Sequence, residues 1–198
     1  IAGINMEGPF VDVKKKGAQA AEHISPPDPE FFRLCNECCG NIIKLVTLSP
    51  KEEGALDFVR ELKDEVMISI GHTTADYDCA KAAMDAGASH VTHLFNAMPP
   101  FAHRDPGVIG AALDTRSCMA ALIWAALSDG TIAGSATNLF DCMKKAMEFG
   151  IPESTAIFAA TRNPAKSIGI YDTAGSMTPG KYSDLLIVDS RYDLIKVF

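Results

Sequence analysis

The sequence has no apolar run of about 20 residues, the length that a membrane-spanning helix needs, so we expect no membrane segment. It is also poor in positive charge, because 18 Lys and Arg residues against 25 Asp and Glu residues give a net charge of −7. A surface with this charge repels nucleic acid on average. These scarcities favour a globular protein that binds neither membrane nor nucleic acid, and the 47% of hydrophobic residues agrees with that class.

The single basic run is Lys14-Lys15-Lys16. Short runs of this kind are usually solvated loops, and we favour that interpretation. The alternative is that the run attracts an anionic group of a substrate.

A second pair of cysteines, which a zinc ribbon would need beside Cys35-x-x-Cys38, is absent although the chain has six cysteines. The surrounding segment 28–40 favours a helix, with Pro29 at its start and Gly40 at its end. We therefore predict reduced, buried or partly buried thiols in a cytoplasmic protein. The first residues predict a strand rather than a signal peptide.

What the sequence does contain is a regular alternation of strand and helix signals over its first 120 residues. The strands are predicted at 1–6, 42–48, 66–72, 89–93 and 118–123, and the helices at 29–40, 52–63 and 75–86, the last capped by Thr73 or Thr74. The proline-rich segment 96–110 is predicted to be a loop. This alternation predicts a parallel sheet in an α/β fold.

Three of these strands end in a side chain that binds metals. They are Glu7, His72 and His93. In a parallel β/α barrel, polar residues at the carboxyl ends of the strands converge on one mouth. One carboxylate and two imidazoles there suit Zn²⁺, and also Fe²⁺ or Mn²⁺. His90, in the same strand as His93, is a rival ligand that the residues alone leave open.

The alternation breaks after Ile123, where no helix separates the strand from the segment 124–135. Helices are predicted again at 138–149 and 153–160, and strands at 184–189 and 194–198. We therefore divide the chain into a barrel at 1–170, with a segment missing near 123/124, and part of a small β domain at 171–198.

In these motifs the chain resembles the N-acetylglucosamine-6-phosphate deacetylase family of the amidohydrolase superfamily. The resemblance runs through almost the whole chain, and its most distinctive string is Thr92-His93-Leu94-Phe95-Asn96-Ala97-Met98. The other matching strings are Glu7-Gly8-Pro9-Phe10, Lys16-Gly17-Ala18, Gly71-His72-Thr73, Arg104-Asp105-Pro106-Gly107, the segment 129–135, Asn163-Pro164-Ala165-Lys166 and the segment 180–185.

The resemblance implies a (β/α)8 TIM-type barrel, here partial, with a small β element at the C-terminal end. It implies hydrolysis of the acetamide of N-acetylglucosamine 6-phosphate by a divalent metal, with Zn²⁺ favoured. It makes Glu7, His72 and His93 the metal ligands. It also implies a homodimer in which Arg104 reaches a phosphate in the neighbouring subunit. The remaining substrate contacts that it implies are Gln19 in the sugar pocket and Asn96 and Ala97 at the sugar phosphate.

The chain also departs from the family. The family's His-x-His strand, its Ala-Asp-Gly-x-His segment and the aspartate that acts as its acid/base have no counterpart here, and Ile123 joins Trp124 where the family has several dozen more residues. Either the sequence is part of a longer chain, which we favour, or a natural deletion has removed the aspartate. The alternative functions are another amidohydrolase acting on a cyclic amide, and a non-catalytic remnant that binds a sugar phosphate.

Overall fold

In a computed structural model, residues 2–121 and 138–198 are described. Apart from Ala2 they form two compact units, one within residues 3–121 and the other within 138–198. The predicted break between Ile123 and Trp124 and the motif at 129–135 lie outside the described residues. The predicted boundary between residues 170 and 171 remains a prediction.

The first unit is built on a parallel sheet of five strands in the order in which they occur in the chain. They are β1 (Ile4–Glu7), β2 (Ile43–Leu48), β3 (Met67–Ile70), β4 (His90–Val91) and β5 (Met119–Ala120). Parallel strands in sequential order, joined by helices, are the arrangement of a (β/α)8 barrel, and the described residues supply five of its strands. The predicted α/β fold class is confirmed.

Four helices connect these strands. They are α1 (Pro29–Cys38), α2 (Ala55–Leu62), α3 (Tyr77–Ala86) and α4 (Gly107–Leu113), with single 3-10 turns at Val13–Lys15 and Ala21–His23. Helix α2 buries Ala55, Phe58, Val59 and Leu62, which share one helical face. The ring centroid of Phe58 lies 5.1 Å from that of Phe10 and 6.2 Å from that of Phe32, so aromatic contacts join α2 to α1 and to the loop that follows β1.

Two predictions for these helices are wrong in detail. Helix α3 begins at Tyr77 rather than at residue 75, because Asp76 caps it by accepting a hydrogen bond from the Cys79 amide. The hydroxyl of Thr74, a predicted cap, donates instead to Asp12.

Helix α4 begins inside the segment that we predicted to be a loop. The turn signal of Pro106 and Gly107 suggested an irregular segment. The apolar residues that follow form a helix because they pack inward, and all residues from Gly107 to Ala111 are buried.

The second unit contains helices α5 (Leu139–Glu148), α6 (Glu153–Ala160) and α7 (Arg162–Ser167) and an antiparallel pair, β6 (Leu186–Val188) and β7 (Leu194–Val197). The two tail strands agree with the prediction, whereas α7 was not predicted.

All six cysteines are free thiols; Cys38 is exposed rather than buried, and the other five are partly buried. No helix in the described part of the chain has the length and hydropathy of a membrane span.

Candidate metal centre

The candidate ligands lie where neighbouring parallel strands end. Glu7 is the last residue of β1, His72 follows β3 by two residues, and His93 follows β4 by two residues. Because parallel strands share one direction, their carboxyl ends meet at the same edge of the sheet. Both imidazoles are buried there.

The ligand atoms of the three side chains converge on one point. The distance from His72 Nε2 to Glu7 Oε1 is 2.8 Å, that from His93 Nε2 to His72 Nε2 is 2.9 Å, and that from His93 Nε2 to Glu7 Oε1 is 3.5 Å. A triangle with these sides has a circumradius of about 1.8 Å, so a point about 2.1 Å from all three atoms lies just off its plane. That distance is the usual length of a zinc–nitrogen bond, and the three residues therefore fit a divalent metal.

Backbone carbonyls fix the tautomers of the two imidazoles. His72 Nδ1 lies 2.7 Å from the Lys15 carbonyl oxygen, and His93 Nδ1 lies 3.1 Å from the Asn96 carbonyl oxygen. A carbonyl oxygen only accepts, so both Nδ1 atoms carry the hydrogen when the rings are neutral. The lone pairs of both Nε2 atoms then point into the space between the two rings and the Glu7 carboxylate. Carbonyl acceptors of this kind orient metal-binding histidines.

Three lone pairs at such short distances need a positive charge among them. Hydrogen bonding with His72, then with His93, lowers the pKa of Glu7 to about 2, so this carboxyl group is held in its negatively charged form. Burial acts to lower the pKa of His93, but the hydrogen bond and the negative charge of Glu7 outweigh burial and raise that pKa overall. The cluster is therefore a cation site by its own electrostatics.

The backbone around the cluster is strained. Outside glycine, six residues of the described chain have a positive φ, and four of them are His72 (48°), His93 (32°), Phe95 (76°) and Ala97 (51°). The left-handed conformation is unfavourable for residues with a Cβ atom and persists where surrounding contacts hold it. Such strain is typical of functional sites.

A cavity of about 260 Å³ opens beside the cluster. The residues that line it are Lys14, Lys15, Gly17, His72, His93, Asn96 and Ala97. Its size is close to that of a small-molecule site. Two lysines of the basic run therefore border the cavity, and no hydrogen bond or ion pair within residues 2–121 engages their ammonium groups.

Comparisons with known proteins agree on one family. The sequence pattern of the "Amidohydrolase family" matches residues 123–198. N-acetylglucosamine-6-phosphate deacetylase of Bacillus subtilis (strain 168) is 37% identical over 249 residues, covering 98% of this chain and 63% of that protein. The crystal structure of the deacetylase of the same name from Mycobacterium smegmatis superposes with a TM-score of 0.86 at 26% identity, covering 100% of this chain and 68% of that one.

The chain is thus similar to the amidohydrolase family over residues 123–198 and to an N-acetylglucosamine-6-phosphate deacetylase over 98% of its length. Another structure of the M. smegmatis protein, an alanine variant in complex with N-acetyl-D-glucosamine-6-phosphate, superposes with a TM-score of 0.87 at 26% identity, covering 100% of this chain and 67% of that one. The chain spans about 63% of the length of the B. subtilis relative. The alignment runs over 249 residues and this chain has 198, so at least 51 aligned positions of that relative have no counterpart here.

The amidohydrolase family, which this chain resembles, depends on divalent metals. The structure places the ligand atoms of Glu7, His72 and His93 within 4.8 Å of one another. The rival ligand His90 lies elsewhere, because its Nδ1 is hydrogen-bonded at 2.8 Å to the buried hydroxyl of Ser69. Asn96 and Ala97 line the cavity, and their role in substrate binding stays a prediction.

The two remaining predicted substrate residues lie outside the cavity lining. Gln19 packs its side chain against Gly8, next to Glu7 in the chain. Arg104 is exposed in a tight turn closed by hydrogen bonds between the backbones of Ala102 and Asp105. Their assigned roles stay predictions.

Sequence reasoning did not find the residues that support the ligands. The supporting carbonyls of Lys15 and Asn96 could not be predicted from residue type, because every residue has a backbone carbonyl. Asp12 is different, because an aspartate before a short helical turn is a recognisable cap.

Proposed function

We propose that the protein to which this sequence belongs hydrolyses the acetamide of N-acetylglucosamine 6-phosphate to glucosamine 6-phosphate and acetate, in amino-sugar catabolism. The observation that carries this proposal is the convergence of Glu7 Oε1 and two imidazole Nε2 lone pairs beside a cavity of about 260 Å³. The similarity to proteins of this name over 98% of the chain supports the choice of substrate.

In this proposal Glu7, His72 and His93 hold the metal, and Zn²⁺ is favoured over Fe²⁺ and Mn²⁺ by a donor set of two nitrogens and one oxygen. A divalent ion bound there polarises a carbonyl and lowers the pKa of a bound water to about 7. The carbonyls of Lys15 and Asn96 keep both imidazoles in the tautomer that leaves Nε2 free for the metal.

The chain's own residues also bind and orient the substrate. Asn96 and Ala97 sit at the cavity and present polar groups to the sugar phosphate, while Gln19 contributes to the sugar pocket from beside Gly8. Lys14 and Lys15 add two positive charges at the cavity of a protein whose net charge is −7. These charges support an anionic substrate and favour the alternative interpretation of the basic run.

We further propose that Ile123 and Trp124 are not adjacent in the natural polypeptide. The missing aligned positions and the start of the family match at residue 123 support this proposal. The missing segment would carry the aspartate that takes the proton from water and gives it to the leaving nitrogen. We also propose a cytoplasmic homodimer, in which six free thiols stay reduced and Arg104 reaches the partner's phosphosugar.

The test combines intact mass with two assays on the same purified protein. A mass well above 21.2 kDa, with peptides that separate Ile123 from Trp124, would support the missing segment, and release of acetate from the 6-phosphosugar would support the activity. A protein of 21.2 kDa that binds the phosphosugar without releasing acetate would support the non-catalytic alternative. Hydrolysis of a cyclic amide, but not of the phosphosugar, would contradict the proposed substrate. A parallel assay with the unphosphorylated sugar measures the contribution of the phosphate.

A further inference from the structure

We propose that Asp12 is the positioning residue that holds His72 in its metal-binding orientation, acting through Thr74 and through its own loop. This inference rests on the proposed metal site. Asp12 is not a ligand, since the cluster consists of Glu7, His72 and His93.

The Asp12 carboxylate is buried and joins two segments of chain. One oxygen accepts a hydrogen bond of 2.8 Å from the Lys14 amide and caps the 3-10 turn Val13–Lys15. The other oxygen accepts a hydrogen bond from the hydroxyl of Thr74, two residues beyond His72. The side chain therefore ties the turn that follows β1 to the loop that follows β3.

The same turn holds His72 from two sides. The Asp12 amide donates to the His72 carbonyl oxygen at 2.9 Å, and the Lys15 carbonyl oxygen accepts from His72 Nδ1 at 2.7 Å. The Lys15 amide in turn donates to the Asp12 carbonyl oxygen at 2.8 Å. Backbone and ring of His72 are thus attached to one short turn whose shape depends on the Asp12 carboxylate.

This support acts on a residue that would otherwise leave its conformation. His72 has a φ of 48°, in the left-handed region that residues with a Cβ atom avoid. Strained conformations of this kind persist only where the surroundings determine them. Hydrogen bonds to a carboxylate are stronger than those to a neutral acceptor, so Asp12 is well suited to this task. Its removal would leave the Lys14 amide and the partly buried Thr74 hydroxyl without this acceptor.

The test is a titration with Co²⁺ of the purified protein to which this sequence belongs. The visible absorption of the bound ion reports the ligand geometry. Loss of a residue that supports a metal ligand costs roughly 10- to 100-fold in affinity, and we expect Asp12→Ala to fall in that range with an altered spectrum. Asp12→Asn should restore most of the affinity, because its amide oxygen still accepts from Lys14 and its NH₂ donates to Thr74. Thr74→Val should weaken binding, and adding it to Asp12→Ala should cost little more, since both remove the same contact.

The matched control is Asp28→Ala. Asp28 is exposed and caps helix α1 by accepting from the amides of Glu30 and Phe31 at 2.9 and 3.1 Å. Asp28→Ala removes an aspartate cap that lies outside the metal cluster. It should therefore leave the Co²⁺ affinity and the Co²⁺ spectrum unchanged.

The outcomes separate this inference from the proposed function. If the unaltered chain binds no Co²⁺, the proposed metal site is wrong. If it binds Co²⁺ and Asp12→Ala binds it equally well with the same spectrum, the metal site stands and the positioning role is overturned. If Asp12→Ala does not fold by circular dichroism, Thr74→Val decides, because it keeps the carboxylate and its cap; unchanged Co²⁺ affinity in that variant would also overturn the role.

Discussion

The Nε2 atoms of His72 and His93 lie 2.9 Å apart, and each ring donates its Nδ1 hydrogen to a backbone carbonyl oxygen on its other side. Two neutral imidazoles in these tautomers repel each other through their lone pairs. The Glu7 carboxylate, 2.8 Å from His72 Nε2, increases that repulsion. A cation at the centre of the three atoms would relieve this repulsion, and this is the physical basis of the proposed metal dependence.

His90 gives the folded state a pH dependence of its own. The residue is 8% exposed, and burial lowers the pKa of its imidazole from the ordinary 6.5 to about 4. Between pH 4 and 6.5 His90 is protonated in the unfolded chain but neutral in the folded protein. The contribution of neutral His90 to folding stability is therefore complete above pH 6.5 and is lost as the pH falls. The loss reaches about 3 kcal/mol at pH 4, one pKa unit being about 1.4 kcal/mol.

We expect His90→Gln, which keeps a polar group beside Ser69, to remove this part of the pH dependence. The measurement is the free energy of unfolding by urea for both proteins at several pH values between 4 and 7. If the two proteins lose stability in parallel as the pH falls, His90 is not the group responsible.

Gly17 lies against the ring of His72. Its φ is +60°, and a Cβ atom added there would lie 3.2 Å from His72 Cε1. Gly40 provides the control, because its φ is +75° but a Cβ atom there would meet nothing within 4 Å. Alanine at either position should cost about 1–2 kcal/mol of stability from the left-handed backbone alone.

Only Gly17→Ala should also weaken metal binding, by about tenfold, because it displaces a ligand ring. Urea unfolding and Co²⁺ titration of both variants check this expectation. Equal metal affinities in Gly17→Ala and Gly40→Ala would mean that the ring of His72 tolerates the added methyl group.

Arg104 is exposed in its turn, and its proposed role is to reach a phosphate in the neighbouring subunit. In the complete enzyme, Arg104→Ala should weaken binding of the 6-phosphosugar by about 10- to 150-fold, the value of a charge-assisted hydrogen bond of about 1.5–3 kcal/mol. Binding of the unphosphorylated sugar should hardly change. Calorimetric titration with both sugars measures the difference, and Arg116→Ala, at another exposed arginine, is the control.

Equal losses for both sugars would make Arg104 a structural residue. If the site is shared between subunits, heterodimers of Arg104→Ala and His93→Ala chains should recover part of the activity. Absence of recovery in heterodimers that demonstrably form would place Arg104 in its own subunit's site.

Much of this architecture was predictable because it depends on local patterns. The apolar runs before Glu7, His72 and His93 predict parallel strands, and the fold brings parallel strand ends together. Helix α4 was missed because its inward packing, rather than the turn signal at Pro106, decides its structure. The cap of α3 was misplaced because Thr74 has a distant partner, Asp12, that no local pattern indicates. Long-range hydrogen bonds of this kind have no signal in one sequence.

The most direct test of the metal site is the stoichiometry and affinity of Co²⁺ binding to the unaltered chain and to three variants, Glu7→Ala, His93→Ala and His90→Gln. We predict one ion per chain, loss of at least about 100-fold in affinity for the first two variants, and unchanged binding for His90→Gln. Binding that survives in Glu7→Ala and His93→Ala, or that is lost in His90→Gln alone, would contradict the assignment of Glu7, His72 and His93 as the metal ligands.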